Sequence, residues 1–129
     1  MTDLLLSIHQ KHIDNIASGQ KNYEFRDYRP KEDFRAIWIY ATKPTGAITH
    51  VMEVDEIVQY PTKIKSEGIG NQAFNQRNKT TFAYHIDTFT ELQHQISLET
   101  MREFDVYPPQ QLRYIKEEEA FYQRLNQMR

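Results

Sequence analysis

Cysteine is absent from the 129 residues, which excludes disulfides, thiolate zinc ligands and a cysteine nucleophile, and fits a reducing compartment such as the cytoplasm. Long apolar runs are missing as well. The longest is residues 36–41, against the roughly 20 residues that a membrane-spanning helix requires, so no membrane association is expected. Met1-Thr2-Asp3 has no basic stretch ahead of an apolar region, and export is not expected. The net charge is only −2, which argues against a protein that coats nucleic acid through many phosphate contacts. Glycine is scarce, and Gly68-Ile69-Gly70 lacks the third glycine and the lysine pattern of a phosphate-binding loop. Among His9, His12, His50, His85 and His94 no His-x-x-x-His or His-Glu-x-x-His spacing occurs. His9 and His12 are the only local pair, so no metal or other cofactor is expected and the histidines are read as surface or partly buried residues.

What is present suits one globular domain over residues 1–129: 39% hydrophobic residues, with Trp38, seven Phe and eight Tyr supplying large rings. Charge is unevenly placed. Residues 20–43 carry six Lys/Arg against four Asp/Glu, and residues 62–80 carry four against one. If the two segments meet in the fold, they make a local anion-binding face.

Leu4-Leu5-Leu6 reads as a short buried strand. Ser7 and Gln10 have the spacing of a capping box, so a helix is expected from Ser7, with Ile13, Ile16 and Ala17 on one stripe and Gly19 as its left-handed terminator. Residues 21–28 alternate Tyr23 and Phe25 with Asn22, Glu24 and Arg26, the period of a half-buried strand with one charged face. Residues 36–41 read as a strand buried on both faces. After the turn Lys43-Pro44-Thr45-Gly46, residues 47–58 read as a long strand with a bulge near Val51. A polar stretch over 61–79, with a short helix within 71–78, precedes another strand over 80–89. Residues 97–102 open a short helix, and residues 115–128 are expected to be helical with Glu117-Glu118-Glu119 in the first turn. Strands interleaved irregularly with short helices give an α+β class, and a small β-barrel of about five to six strands flanked by short helices hides the edges of so few strands.

The informative stretch is Gly19-Gln20-Lys21-Asn22-Tyr23-Glu24-Phe25-Arg26. Two residues apart on a strand, Glu24 and Arg26 share a face, with Lys21 at the strand's mouth. One carboxylate and two cations suit a polar anionic ligand: Arg26 offers a planar fork to phosphate or carbonyl, and Glu24 accepts from a base or amine. Read without any such ligand, the same face is a solvated one with a surface ion pair. Trp38, Tyr40, Phe82 and Tyr84 could stack a base, but rings on central strands mostly build core; Tyr40, at a strand end, is the ring favoured for ligand contact.

The helix, the Gly19-x-Lys21-x-x-Glu24-x-Arg26 turn and strand, and the strand running Tyr40-Ala41-x-x-Pro44 resemble the ASCH domain of the PUA-like superfamily, most closely over residues 4–60. The resemblance implies a PUA-like barrel whose cleft binds RNA or a modified nucleoside, with Lys21, Glu24, Arg26, Tyr40 and Thr42 as ligand-binding residues. It also implies a hydrolase alternative in which Lys21 and Glu24 are catalytic, either a nucleoside amidohydrolase or a ribonuclease. The amidohydrolases of the family use a lysine, which Lys21 matches, and a threonine whose place is taken here by Glu24. A protein-interaction domain, with the charged string purely structural, is the remaining alternative.

Overall fold

Two apolar runs fix the centre of the fold. In the computed structural model, which describes residues 1–76 and 80–128, Leu4, Leu5 and Leu6 lie in strand β1 (Asp3–Ile8). β1 pairs in parallel with the strand Ile37–Ala41, every residue of which is buried. Continuous apolar strands arise where both faces of a sheet are covered, and alternate residues here feed two separate layers. Leu5, Trp38 and Tyr40 pack with Met101, Phe121 and Leu125, whereas Leu4, Leu6, Ile37 and Ile39 pack with Ile13, Met52 and Tyr84. The Asp3 carboxylate, fully buried between the two strands, accepts hydrogen bonds from the Trp38 indole (3.0 Å) and the Arg35 guanidinium (3.2 and 3.0 Å).

In chain order the elements are β1, α1 (Gln10–Ala17), β2 (Tyr23–Arg26), β3 (Ile37–Ala41), β4 (Ala47–Gln59), α2 (Asn71–Asn75), β5 (Phe82–Ser97), α3 (Leu98–Glu103), β6 (Leu112–Ile115) and α4 (Ala120–Asn126). The strands form one mixed sheet in the order β2-β5-β4-β3-β1-β6 that curls into a half-barrel, an α+β fold. No described helix is long and apolar enough to cross a membrane.

Several boundaries differ from those read in the sequence. Ser7 is the seventh residue of the chain but a strand residue rather than a helix cap: its hydroxyl donates to the Pro109 carbonyl at 2.8 Å, and α1 starts after His9. The bulge expected near Val51 is resolved into two register shifts of β4 on either side of it, one at Thr49, between Ile48 and His50, and one around Val54. β5 runs on to Ser97 because its second half pairs with the start of β4; beyond Phe89 only Leu92 and Ile96 are buried, which hides the alternation. The C-terminal helix expected from residue 115 starts later. Residues 112–115 form the edge strand β6 against β1, and Glu119 folds back to accept from the Lys116 amide (2.6 Å) and Arg113 (2.9 Å), so α4 begins only at Ala120. The helix expected within 71–78 is α2; Arg77 and Asn78, like Lys79 of the polar stretch, lie outside the described residues.

Candidate functional site

The end of α1 builds the site. Gly19 takes a φ of 85°, a conformation that costs glycine nothing, and its amide donates to the Ile16 carbonyl at 3.0 Å. The Lys21 amide then donates back to the Asn15 carbonyl at 3.0 Å, so the chain folds along the helix it has just left. This brings the Lys21 Nζ to 3.4 Å from His12 Nδ1, one helical turn earlier on α1. β2 follows at once. It pairs with β5 so that Glu24 stands opposite Tyr84, a ring of the apolar layer beneath α1.

The charged face of β2 is therefore turned into the curl of the sheet and away from solvent. Lys21 and Glu24 are only 7% and 6% exposed. Arg26 clamps one carboxylate oxygen: its Nε donates to Glu24 Oε2 at 3.0 Å, and Nη2 lies 2.8 Å from the same atom. The rest of the guanidinium donates to the Ser7 carbonyl (3.2 Å) and the Tyr28 hydroxyl (3.4 Å). Tyr28 is itself held by the Tyr84 hydroxyl, which donates to the Tyr28 carbonyl at 2.6 Å. Burial pushes the Tyr28 phenol above its ordinary range, against the pull of Arg26, so it stays protonated at neutral pH.

The other carboxylate oxygen is different. Glu24 Oε1 is buried, lies 3.4 Å from Lys21 Nζ, and has no aligned hydrogen bond. The Lys21 ammonium thus has two long polar contacts and the Phe25 ring 5.5 Å away, while Arg26 is held by hydrogen bonds to Glu24, Ser7 and Tyr28. An ammonium with loose partners can turn to an incoming anion at small cost, whereas the guanidinium serves to hold the carboxylate. His12 completes the group. Burial, and then the Lys21 charge, lower its pKa, with Glu24 opposing, so the imidazole is neutral at pH 7.

Thr42 lies at the other end of the same polar strip, its hydroxyl 3.2 Å from His9 Nδ1, with the His9 and His12 rings 6.4 Å apart edge to face. Tyr40 is not brought to this group: it is 3% exposed and belongs to the layer under α3 and α4, on the opposite face of the sheet from Ile39 and α1. The two basic segments meet at residues 20–22 and 66–69, Arg77 and Lys79 of the second lying outside the described residues. The Ile69 amide donates to the Gln20 carbonyl at 2.9 Å, and Asn22 Nδ2 donates to Ser66 Oγ at 3.1 Å. The role of His12 was not legible from residue spacing, because its partner Lys21 is nine positions away across a helix terminus. The only signal was a histidine pair on the helix that ends at Gly19. Among the described residues no group of three His, Asp or Glu side chains converges as metal ligands.

A second imidazole shares the lowered pKa. His50, stacked on Phe89 with ring centroids 4.5 Å apart, is depressed by burial, with Glu91 and Asp14 opposing. Both imidazoles titrate below the ordinary 6.5 in the folded chain, so in that window the unfolded chain binds more protons. Their contribution to stability is complete above that value and is lost as pH falls through the folded values. The urea midpoint is accordingly expected to drop between about pH 7 and pH 5.5. A double variant, His12→Gln with His50→Gln, is expected to have a flatter profile; an unchanged slope contradicts the assignment.

Comparison with known proteins agrees with this architecture. The sequence profile of the ASCH domain family matches residues 6–126. An ASCH domain-containing ribonuclease of Zymomonas mobilis subsp. mobilis is 29% identical over 137 aligned positions, covering 93% of each chain. The crystal structure of the ASCH protein from Zymomonas mobilis superposes with a TM-score of 0.76 at 25% identity, over 98% of this chain and 94% of that one. A tyrosine-to-phenylalanine variant of that protein gives 0.76 at 24% identity, over 98% and 97%.

Proposed function

The chain belongs to the ASCH domain family, and from that premise we propose that it is a ribonuclease that binds single-stranded RNA along the strip from Thr42 to Tyr28 and cleaves it beside Lys21. One observation carries the reading: a buried Glu24 carboxylate clamped by Arg26 holds, through long contacts only, a lysine that touches a neutral histidine. The relative of nearly equal length that is a ribonuclease supports it.

In this reading Lys21 turns toward a non-bridging phosphate oxygen and stabilises the charge that builds there as the phosphorus is attacked. That movement frees His12 Nδ1, whose lone pair then accepts the proton of the ribose 2′-hydroxyl. The 2′-oxygen forms a bond to phosphorus, the bond from phosphorus to the 5′-oxygen breaks, and the departing oxygen takes a proton from solvent. Glu24 keeps Lys21 in place and Arg26 keeps Glu24 in place. A nucleoside amidohydrolase is less well served, since the hydroxyl available, Thr42 Oγ1, is engaged with His9 rather than with Lys21.

The test is cleavage of an end-labelled single-stranded RNA alongside the same strand carrying one 2′-deoxyribose. The expected result is cleavage of the RNA and protection at the substituted linkage alone, with a 2′,3′-cyclic phosphate on the upstream product. Cutting at the deoxyribose linkage would exclude the 2′-hydroxyl as nucleophile, and no cutting of any RNA would exclude the ribonuclease reading.

A further inference from the structure

We propose that Tyr107 is a base-stacking platform at the rim of the Lys21–Glu24–Arg26 site, so that the site takes an unpaired nucleobase together with the phosphate. This rests on the ribonuclease reading and adds the feature that selects single strands. Among the described Phe, Tyr and Trp side chains Tyr107 alone is exposed, at 55%, while the others are buried or half-buried.

Its exposure is built by anchors on both sides. α3 ends with Asp105 at a φ of 59°, a left-handed turn in which the Asp105 amide donates to the Arg102 carbonyl (2.9 Å) and the Val106 amide to the Met101 carbonyl (3.0 Å). Val106 is thereby driven into the core at 1% exposure, and the next residue is thrown outward. On the far side Pro108 and Pro109 stiffen the backbone, and the Pro109 carbonyl accepts from the Ser7 hydroxyl at 2.8 Å. Ser7 is the residue whose own carbonyl accepts from Arg26 at 3.2 Å. At the end of β1, Ser7 therefore joins the two sides: its side chain, on the face of Leu5 and Tyr40, holds the Tyr107 segment, and its carbonyl, at the strand edge, holds Arg26. A backbone held in this way limits where the ring can sit, and stacking on it does not depend on which base is offered. In a duplex the base faces are already occupied, so only an unpaired base can use it.

The experiment measures binding and cleavage of a single-stranded RNA by the wild type, Tyr107→Ala, Tyr107→Phe and Lys21→Met, with parallel substrates in which one nucleotide at a time is abasic. Tyr107→Ala is expected to raise KM and Kd by about 5- to 100-fold, the range for loss of one stacked base, with kcat within about threefold of wild type. Tyr107→Phe is expected to match the wild type. At one position the abasic substrate should weaken wild-type binding to the level of Tyr107→Ala and leave that variant unaffected. If Tyr107→Ala binds and cleaves as the wild type does while Lys21→Met loses cleavage, the platform is refuted and the ribonuclease reading stands. If the wild type neither binds nor cleaves RNA, both fall.

Discussion

Lys21→Met is expected to lower the rate of RNA cleavage by about 10²- to 10³-fold, the usual effect of removing one donor that meets developing charge, while the protein stays folded. Methionine keeps the aliphatic stem that packs in a position only 7% exposed, so little burial is lost. The carboxylate does not become an orphan, because Arg26 still holds Glu24 Oε2 at 2.8 and 3.0 Å. His12 loses a 3.4 Å neighbour and gains freedom. The melting temperature should therefore move by only a few degrees. Cleavage within about threefold of wild type would show that no phosphate oxygen is bound at Lys21.

Glu24→Ala is expected to act on the fold first. It removes the carboxylate that lies against both Lys21, at 7% side-chain exposure, and Arg26, at 15%. Leaving buried charge without a counter-ion costs about 3–5 kcal/mol, which in a domain of this size lowers the melting temperature by about 10–15 °C. Replacing the charged pair together, Lys21→Met with Glu24→Leu, should recover part of that loss, since the uncompensated ammonium is gone. If Glu24→Ala melts with the wild type, the carboxylate is not holding the two cations in the folded protein.

How far the sequence reached follows from the range of the signals it carries. The parallel pair at the centre was legible because Leu4-Leu5-Leu6 and residues 36–41 are apolar without interruption, the mark of strands covered on both faces. Gly19 was legible because a left-handed helix end selects for it. That Lys21, Glu24 and Arg26 fall together was legible from their spacing, but their burial was not. A strand that alternates charged and apolar residues reads as half-solvated, and only the curl of the sheet, which sets Glu24 over Tyr84, takes the charged side out of water. Tyr40 lies away from the site for a related reason: a strand end is not a rim when α3 and α4 cover that face. Tyr107 carries no periodic signal, because its outward position is set by a helix terminus and by a hydrogen bond from a residue about a hundred positions away. The edge strand β6 was hidden in the same way: residues 112–115 pair with β1 at the opposite end of the chain.

The most direct test of the account is amide and side-chain NMR of the labelled protein titrated with a short single-stranded RNA in which every 2′-hydroxyl is methylated, so that it binds without being cut. The account predicts shifts concentrated at residues 7–12, 21–28, 42 and 107–109, with the Lys21 and His12 side chains among the largest. Shifts centred instead on the far surface, around residues 85–96 or 120–128, would contradict it.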